Sequence, residues 1–431
     1  VSQSDARARR GRSTIARHGR LRKRGPVGTI VKVLASTVAV VVVSSVAVVG
    51  YAAWDLSRSA KPVIHLVGEK TSGPVPDIGT YPGGVNLLLA GVDTRTGQGG
   101  NYGSLADSSG PGNNDVTMLL HVAADHKSAT VVSFPRDLMV PIPECPDGQG
   151  GMLSARSKSQ FNTTLAEGGL ACTVLAVQSL VDDAITIPFA ADIKFNGVIA
   201  MANAVGGVQV CVASRIDDDL VDPELHMDPG TYTLKGAQAL SFLRTREGVG
   251  DGSDLGRISN QQVYLSALVR TVKDGGTLTN PAKVWGVANA ALKNMEFSAS
   301  LNNLTTVYQI AMLLKDIDLD KMVFVQYPVF ADPDDSNRVV PDYDSAAVLF
   351  NALKNDRPIQ LGGTVGRGAV VSTNAPTVPD ASATTAPPTG STTSPPSTTS
   401  TSTAAPDGTA VTLPDNIQGQ SASTTTCSKG N

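Results

Sequence analysis

Cysteine is scarce in this chain. There are four among 431 residues, Cys145, Cys172, Cys211 and Cys427. That number excludes a disulfide-dense mini-scaffold, and the lack of any Cys-x-x-Cys or Cys/His cluster argues against a structural zinc site. Aromatic residues are only 4 %, while 42 Gly and 26 Pro imply that part of the chain is loop-rich or unfolded. An overall excess of positive charge is also missing, since the net charge is −3. The distribution is uneven. Residues 1–26 carry nine Arg or Lys and one acid, which leaves −11 for everything after them. A uniformly basic nucleic-acid binder is therefore excluded, and no nucleic-acid partner is expected.

What is present divides the chain into five parts. Residues 1–32 form a basic tail. Residues 33–53 are a 21-residue run without a charge, rich in Val and ending near Tyr51 and Trp54. About 20 apolar residues span a bilayer as a helix. The basic flank places the amino terminus in the cytoplasm and the remainder outside. The run exceeds the usual apolar core of a signal peptide and no clear Ala-x-Ala site follows, so an uncleaved single-pass anchor is expected. Residues 54–84 read as a juxtamembrane linker. Residues 85–358 read as one α/β domain, a mixed central sheet sandwiched between helices. Strands are expected at 86–92, 116–122, 129–134, 208–212 and 322–327. Helices are expected at 170–181, 261–273, 281–294, 304–315 and 345–354. Residues 97–114 read as a flexible polar loop. Of residues 371–410, 33 are Ser, Thr, Pro or Ala, a composition that cannot bury enough apolar surface to order itself. The whole of 359–431 is accordingly expected to be a disordered tail. Outside the membrane a disulfide can form among Cys145, Cys172 and Cys211, leaving one domain cysteine over and Cys427 in the tail.

Four clusters put charged residues at the ends of apolar strands, where ligands bind in open α/β sheets. They are Ala90-Gly-Val-Asp93-Thr-Arg95, Asn113-Asn-Asp115, Ser133-Phe-Pro-Arg136-Asp137, and Phe242-Leu-Arg244-Thr-Arg246-Glu247 followed by Asp254-Leu-Gly-Arg257-Ile-Ser-Asn-Gln261. Arg244 and Arg246 share a face if that segment is extended. Arg257 and Gln261 lie one helical turn apart. Convergent guanidiniums select phosphate or pyrophosphate, and Arg95 joins them as an anion-binding candidate. Two aspartates without Cys or His suit a hard divalent ion, Mg²⁺ or Mn²⁺. Together they point to phosphoryl transfer, in which positioning and charge neutralisation dominate. His121, inside an apolar strand, reads as a core residue, and Gly206-Gly207 as a turn.

These motifs resemble the LytR–CpsA–Psr family of cell-envelope glycopolymer transferases, in its actinobacterial form. The resemblance rests on 86–95, 114–141, the Phe-Asn-x-x-x-Ala-x-Gly-Gly of 161–169, the Ala-Val-Gly-Gly-Val within 192–212, and the Arg-x-Arg and Asp-Leu-Gly-Arg-x-x-x-Gln of 230–262. It implies a membrane-anchored, Mg-dependent phosphotransferase that moves a glycopolymer, such as arabinogalactan, from a polyprenyl-pyrophosphate carrier to peptidoglycan. It further implies that Asp93 and Asp115 hold the metal. Arg136, Arg244, Arg246, Arg257 and Gln261 would bind pyrophosphate beside an apolar prenyl pocket. Arg136, Arg244, Arg246 and Asp93 would carry the transfer. The sequence departs from the pattern at Gln160, where a Lys is frequent, with Lys158 two residues earlier, and at Asn260, where an Arg is frequent. The alternatives are a pyrophosphatase using water as acceptor and a non-catalytic prenyl-lipid-binding envelope protein.

Overall fold

The computed structural model describes residues 26–59, 63–69, 84–98, 110–276, 280–302, 304–372 and 409–431. The chain divides into two units, residues 1–58 and 59–431. In the first, α1 runs Pro26–Ser59, with an exposed apolar surface on the side chains described. It is the one described helix long and apolar enough to cross a membrane. It begins before and ends after the uncharged run, because Lys32 and the residues beyond Ala53 do not interrupt helical hydrogen bonding. The basic residues up to 25 lie outside the described residues.

The second unit is built on a seven-stranded mixed sheet. Strand β1 (Val85–Asp93) pairs antiparallel with β2 (Asn113–Val122), which pairs antiparallel with β3 (Ala129–Phe134). Phe189–Ile193 runs parallel to β1, and Met322–Gln326 parallel to β3. Met295–Phe297 closes one edge and Gly419–Ser421 the other, both antiparallel. Alternation along β1 decides the layers. Leu88, Ala90 and Val92 face a core shared with α2 (Thr163–Leu180) and α8 (Tyr343–Lys354). Leu87 and Leu89 face the opposite core, shared with α6 (Pro281–Asn294) and α7 (Leu304–Asp316). The expected α/β/α sandwich is therefore the fold. His121 is a core residue as read: its Nδ1 lies 2.8 Å from the Asn86 Oδ1, and burial pushes its pKa down to about 4.

Two helices on the site side were not anticipated, α3 (Phe195–Val205) and α4 (Gly236–Arg244). Both are short and begin among Gly, Asn and Gln, so periodicity gives little signal. A third helix there, α5 (Asp254–Asp274), starts seven residues before its expected beginning. A side sheet completes the unit, in the order Gly230–Leu234, Val208–Val212, Thr426–Ser428, Ala369–Val371.

Three expectations need correction. The juxtamembrane span 54–84 is not all linker: Ile64 bridges to Ser298, and Leu66 is buried in the domain core. The span 359–431 is not a disordered tail either. Residues 359–372 and 409–431 are part of the domain, with Leu413, Ile417, Ala422 and Cys427 buried. The Ser/Thr/Pro-rich composition masked a short folded stretch that takes its order from strands supplied elsewhere in the chain. Residues 373–408 lie outside the described residues, as do 99–109 of the first loop. The cysteine expectation changes with it. The bridges are Cys145–Cys172 and Cys211–Cys427, and no cysteine is free. The second bridge closes a separation of 216 residues, a long-loop constraint worth on the order of 5 kcal/mol. Denatured without reductant, the protein should take up no iodoacetamide, and after reduction it should take up four equivalents. Labelling of two thiols before reduction would contradict the second bridge.

Candidate active site

The site begins with a break in β-sheet register. Gly91 pairs with Val116, but Val92 pairs with Asn114, so Asp115 is the extra residue of a β-bulge. A bulge re-aims side chains that strict alternation would send to the other face. Asn114 turns inward, where its Oδ1 accepts from the Leu165 N–H at 3.3 Å. Asp115 and Val116 both line a cavity together with Asp93 from the end of β1. This cavity has a volume of about 460 Å³. Its walls are apolar, with Val198, Met201, Leu240, Leu243, Leu265 and Leu268 from α3, α4 and α5.

Arg136, Arg244, Arg246, Arg257 and Gln261 line the same cavity. Their supports differ. Arg136 follows β3, and its Nη1 donates to the Asp115 Oδ2 at 2.8 Å. Its backbone N–H donates to the Asp254 Oδ2 at 2.9 Å. Asp254 opens α5, where a carboxylate complements the helix dipole, and the Ser253 Oγ caps that helix by accepting from the Gly256 N–H at 3.1 Å. The Asp254 Oδ1 lies 2.6 Å from the Arg257 Nη2, which also donates to the Asp115 carbonyl at 2.7 Å. Gln261, one turn on, donates to the Leu243 carbonyl at 3.0 Å. The helical pairing of Arg257 with Gln261 is therefore as expected.

The Arg244/Arg246 pair is not on an extended segment. Arg244 is the last residue of α4, and Thr245 turns the chain so that both guanidiniums reach the cavity. The corner is held by buried Asp218, whose Oδ2 accepts from the Thr245 Oγ1 at 2.6 Å and the Arg246 N–H at 3.2 Å. Arg246 Nε donates to the Gly252 carbonyl at 3.1 Å. Arg244 is supported differently from the other three. Its Cζ stacks 4.3 Å from the Phe195 ring centroid, and its Nη1 is buried with no hydrogen bond among the described residues. An aromatic face satisfies the cation without using its N–H donors, so these remain available to a ligand. Arg95 does not line the cavity. It stands close enough for its charge to act on Asp93 and Arg244.

The charges act on one another. Burial raises the pKa of Asp93, and the neighbouring Asp115 raises it further. Burial lowers Arg244. For Arg136, burial pulls downward, but Asp115, Asp254 and Asp137 outweigh it and the net shift is upward. Asp137, raised by burial and by Asp254, holds an arginine the sequence reading did not single out: the Arg338 Nη1 lies 2.7 Å from its Oδ1. Asp218, Phe195 and Arg338 were missed because each acts through a partner distant in sequence. Asp254 could be suspected from its i,i+3 spacing to Arg257. Of the two departures, Gln160 donates to the Asp137 Oδ1 at 3.2 Å, while Lys158 nearby pairs with Asp332 at 2.9 Å and Asp334 at 2.6 Å, outside the cavity lining. Asn260 is fully buried, donating to the Phe242 carbonyl at 2.6 Å.

The chain is similar to several known proteins. The Cell wall biosynthesis protein LcpA of Corynebacterium glutamicum is 31 % identical over 261 residues, covering 53 % of this chain and 49 % of LcpA. The chain thus spans about half the length of that relative. TagT of Bacillus subtilis is 26 % identical over 318 residues, 72 % of this chain and 90 % of TagT. A solved LytR-Csp2A-Psr enzyme from Actinomyces oris has 18 % identity and a TM-score of 0.49, covering 68 % of this chain and 96 % of that one. A family model matches residues 58–355, well over half of the chain, and the protein therefore belongs to the LytR_cpsA_psr family.

Proposed function

We propose that this protein is a membrane-anchored phosphotransferase that moves a glycopolymer from a polyprenyl-pyrophosphate carrier onto peptidoglycan as a phosphodiester. The observation that carries the reading is that one apolar cavity is also lined by four arginines, with Asp93, Asp115, Asp218 and Glu247 among them. A prenyl chain needs the apolar walls and a pyrophosphate the arginines. The relative TagT is a polyisoprenyl-teichoic acid–peptidoglycan teichoic acid transferase, which supports the same class of donor and acceptor here. Arabinogalactan or a similar wall polysaccharide is the polymer we favour. Helix α1 would anchor the enzyme to the bilayer that holds the donor, with the basic amino-terminal residues in the cytoplasm and residues 59–431 outside.

The residues support a positioning mechanism. An acceptor hydroxyl attacks the phosphorus next to the glycopolymer. A new P–O bond forms, the bridging P–O bond breaks, and its electron pair leaves with the lipid phosphate. Arg244, with unspent donors beside Phe195, takes up charge gathering on that phosphate. Arg136, Arg246 and Arg257 are already oriented by carboxylates or carbonyls, so little reorganisation accompanies the step. The acceptor's proton passes to the Asp93–Asp115 pair. The same pair suits Mg²⁺ or Mn²⁺: these are two neighbouring carboxylates, one with its pKa raised by burial and by the other's charge, and hard cations take oxygen ligands. When bound, such an ion would neutralise pyrophosphate charge.

Two outcomes test this. In full-length protein reconstituted in lipid, label from a polyprenyl-pyrophosphoryl oligosaccharide should appear on added peptidoglycan. Arg244→Ala should lower the rate by about a hundredfold or more with unchanged circular dichroism. Release of free sugar phosphate alone would mean hydrolysis, and a folded Arg244→Ala with near-normal turnover would remove that residue from the mechanism. The second outcome concerns Asp93. Its folded pKa lies above the ordinary carboxylate value of 3.8, so the native state holds the proton more tightly than the unfolded chain. Its ionised form therefore costs stability, and that cost grows as pH rises from 3.8 through the folded pKa. Asp93→Asn should melt higher than the unsubstituted protein at pH 7, lose that advantage on acidification, and lose any Mg²⁺-induced rise in melting temperature. A variant that melts lower at neutral pH, or still responds to Mg²⁺, would contradict the assignment.

A further inference from the structure

The segment 409–431 lies beyond the span matched by the family, 58–355, yet its last residues are bound to the backbone that carries the arginines. Thr426–Ser428 inserts between Val208–Val212 and Ala369–Val371. Beyond it, the Lys429 carbonyl accepts from the Gly250 N–H at 2.9 Å. The Asn431 N–H donates to the Gly248 carbonyl at 3.2 Å, and the Asn431 Nδ2 to the Glu247 carbonyl at 3.1 Å. Gly430 bridges to Val249, which is fully buried. These contacts fall on residues 247–250, between Arg246 and Asp254. On the other side Asp218 holds Thr245 and Arg246. Residues 244–257 are thus gripped from two directions, and where the loop is buried, at Gly248 and Val249, a backbone group left without its partner is costly.

A side-chain contact reaches the same place from below. The Ser428 Oγ donates to the Asn260 Oδ1 at 2.6 Å, and Asn260 donates to the Phe242 carbonyl. All of Ser428 and Asn260 is buried. Asn260 therefore joins the segment to the end of α4, where Arg244 stands, and to α5, which carries Arg257 and Gln261. An amide serves here because it offers an acceptor to Ser428 and a donor to Phe242 at once.

We propose that residues 409–431 act as a positioning strap: the seating of Ser428–Asn431 sets where Arg246 and Arg257 stand, and hence how tightly the cavity holds a pyrophosphate. The proposal rests on the anion-binding reading given above. Cys211–Cys427 fastens the strap to its neighbouring strand.

Gly430 offers a test that leaves this bridge intact. A Cβ at Gly430 would lie far inside van der Waals contact of the Arg215 carbonyl oxygen, so Gly430→Ala must shift the strap. Full-length protein in detergent would be titrated with inorganic pyrophosphate, and amide hydrogen exchange followed in parallel. Gly430→Ala should weaken pyrophosphate binding about tenfold or more and speed exchange at 246–252 by a similar factor, with β2 and β3 unchanged. Ser428→Ala, which leaves the Asn260 oxygen unpaired, should shift both readings in the same direction by a smaller factor. Unchanged affinity in Gly430→Ala, with or without faster exchange, would overturn the proposal. So would loss of protection in β2 and β3, since the segment would then be part of the general core. If the unsubstituted protein binds no pyrophosphate, the phosphotransferase reading fails, while exchange at 246–252 still decides whether the strap holds the loop.

Discussion

The site depends on one carboxylate. Asp254 binds the backbone N–H of Arg136 with one oxygen and the Arg257 guanidinium with the other, and so ties the end of β3 to the first turn of α5. Neither group could be oriented by its own element, because Arg136 follows a proline at a strand end and Arg257 lies on a helix packed across the sheet. Removing one partner from a buried ion pair of this kind costs about 3–5 kcal/mol, because the other charge is left unpaired. The balance also has a functional consequence. The arginines are held in place by groups that occupy only some of their donors, so a phosphate can be bound without first ordering long side chains.

The second constraint is geometric. Antiparallel pairing of β1 and β2 would alternate side chains across the two faces, and a single bulge at Asp115 breaks that rule where the cavity needs two acids on one side. The walls above them come from α3, α4 and α5, which are apolar toward the cavity. The same volume is lined both by charged groups and by hydrocarbon, the two kinds of surface a prenyl pyrophosphate presents. Arg244 lines it with its cation over Phe195.

Much of this was legible in the sequence because it is local. Continuous apolar runs marked β1 to β3, and acids and arginines at their ends marked the site. The four-residue spacing of Arg257 and Gln261 marked a helix face. What could not be read was set by contacts distant in the chain. The bulge exists only in the pairing of two strands. Asp218 and Phe195 gain their roles from Arg246 and Arg244, each across a turn of unknown geometry. The folded stretch 409–431 was lost because it follows a Ser/Thr/Pro-rich run whose composition set the reading for the whole tail. Those residues are ordered here by strands at 208–212, 322–326, 359–360 and 369–371 and by the Cys211–Cys427 bridge, none of which a local composition window registers.

The central claim is that this cavity is matched to an apolar chain ending in two linked phosphates. Calorimetric titration of the full-length protein with a short-chain prenyl pyrophosphate, and with the corresponding monophosphate, addresses it most directly. Several guanidiniums engaging the second phosphate through charge-assisted hydrogen bonds should make the pyrophosphate bind about a hundredfold more tightly. Equal affinity for the two compounds would contradict the account.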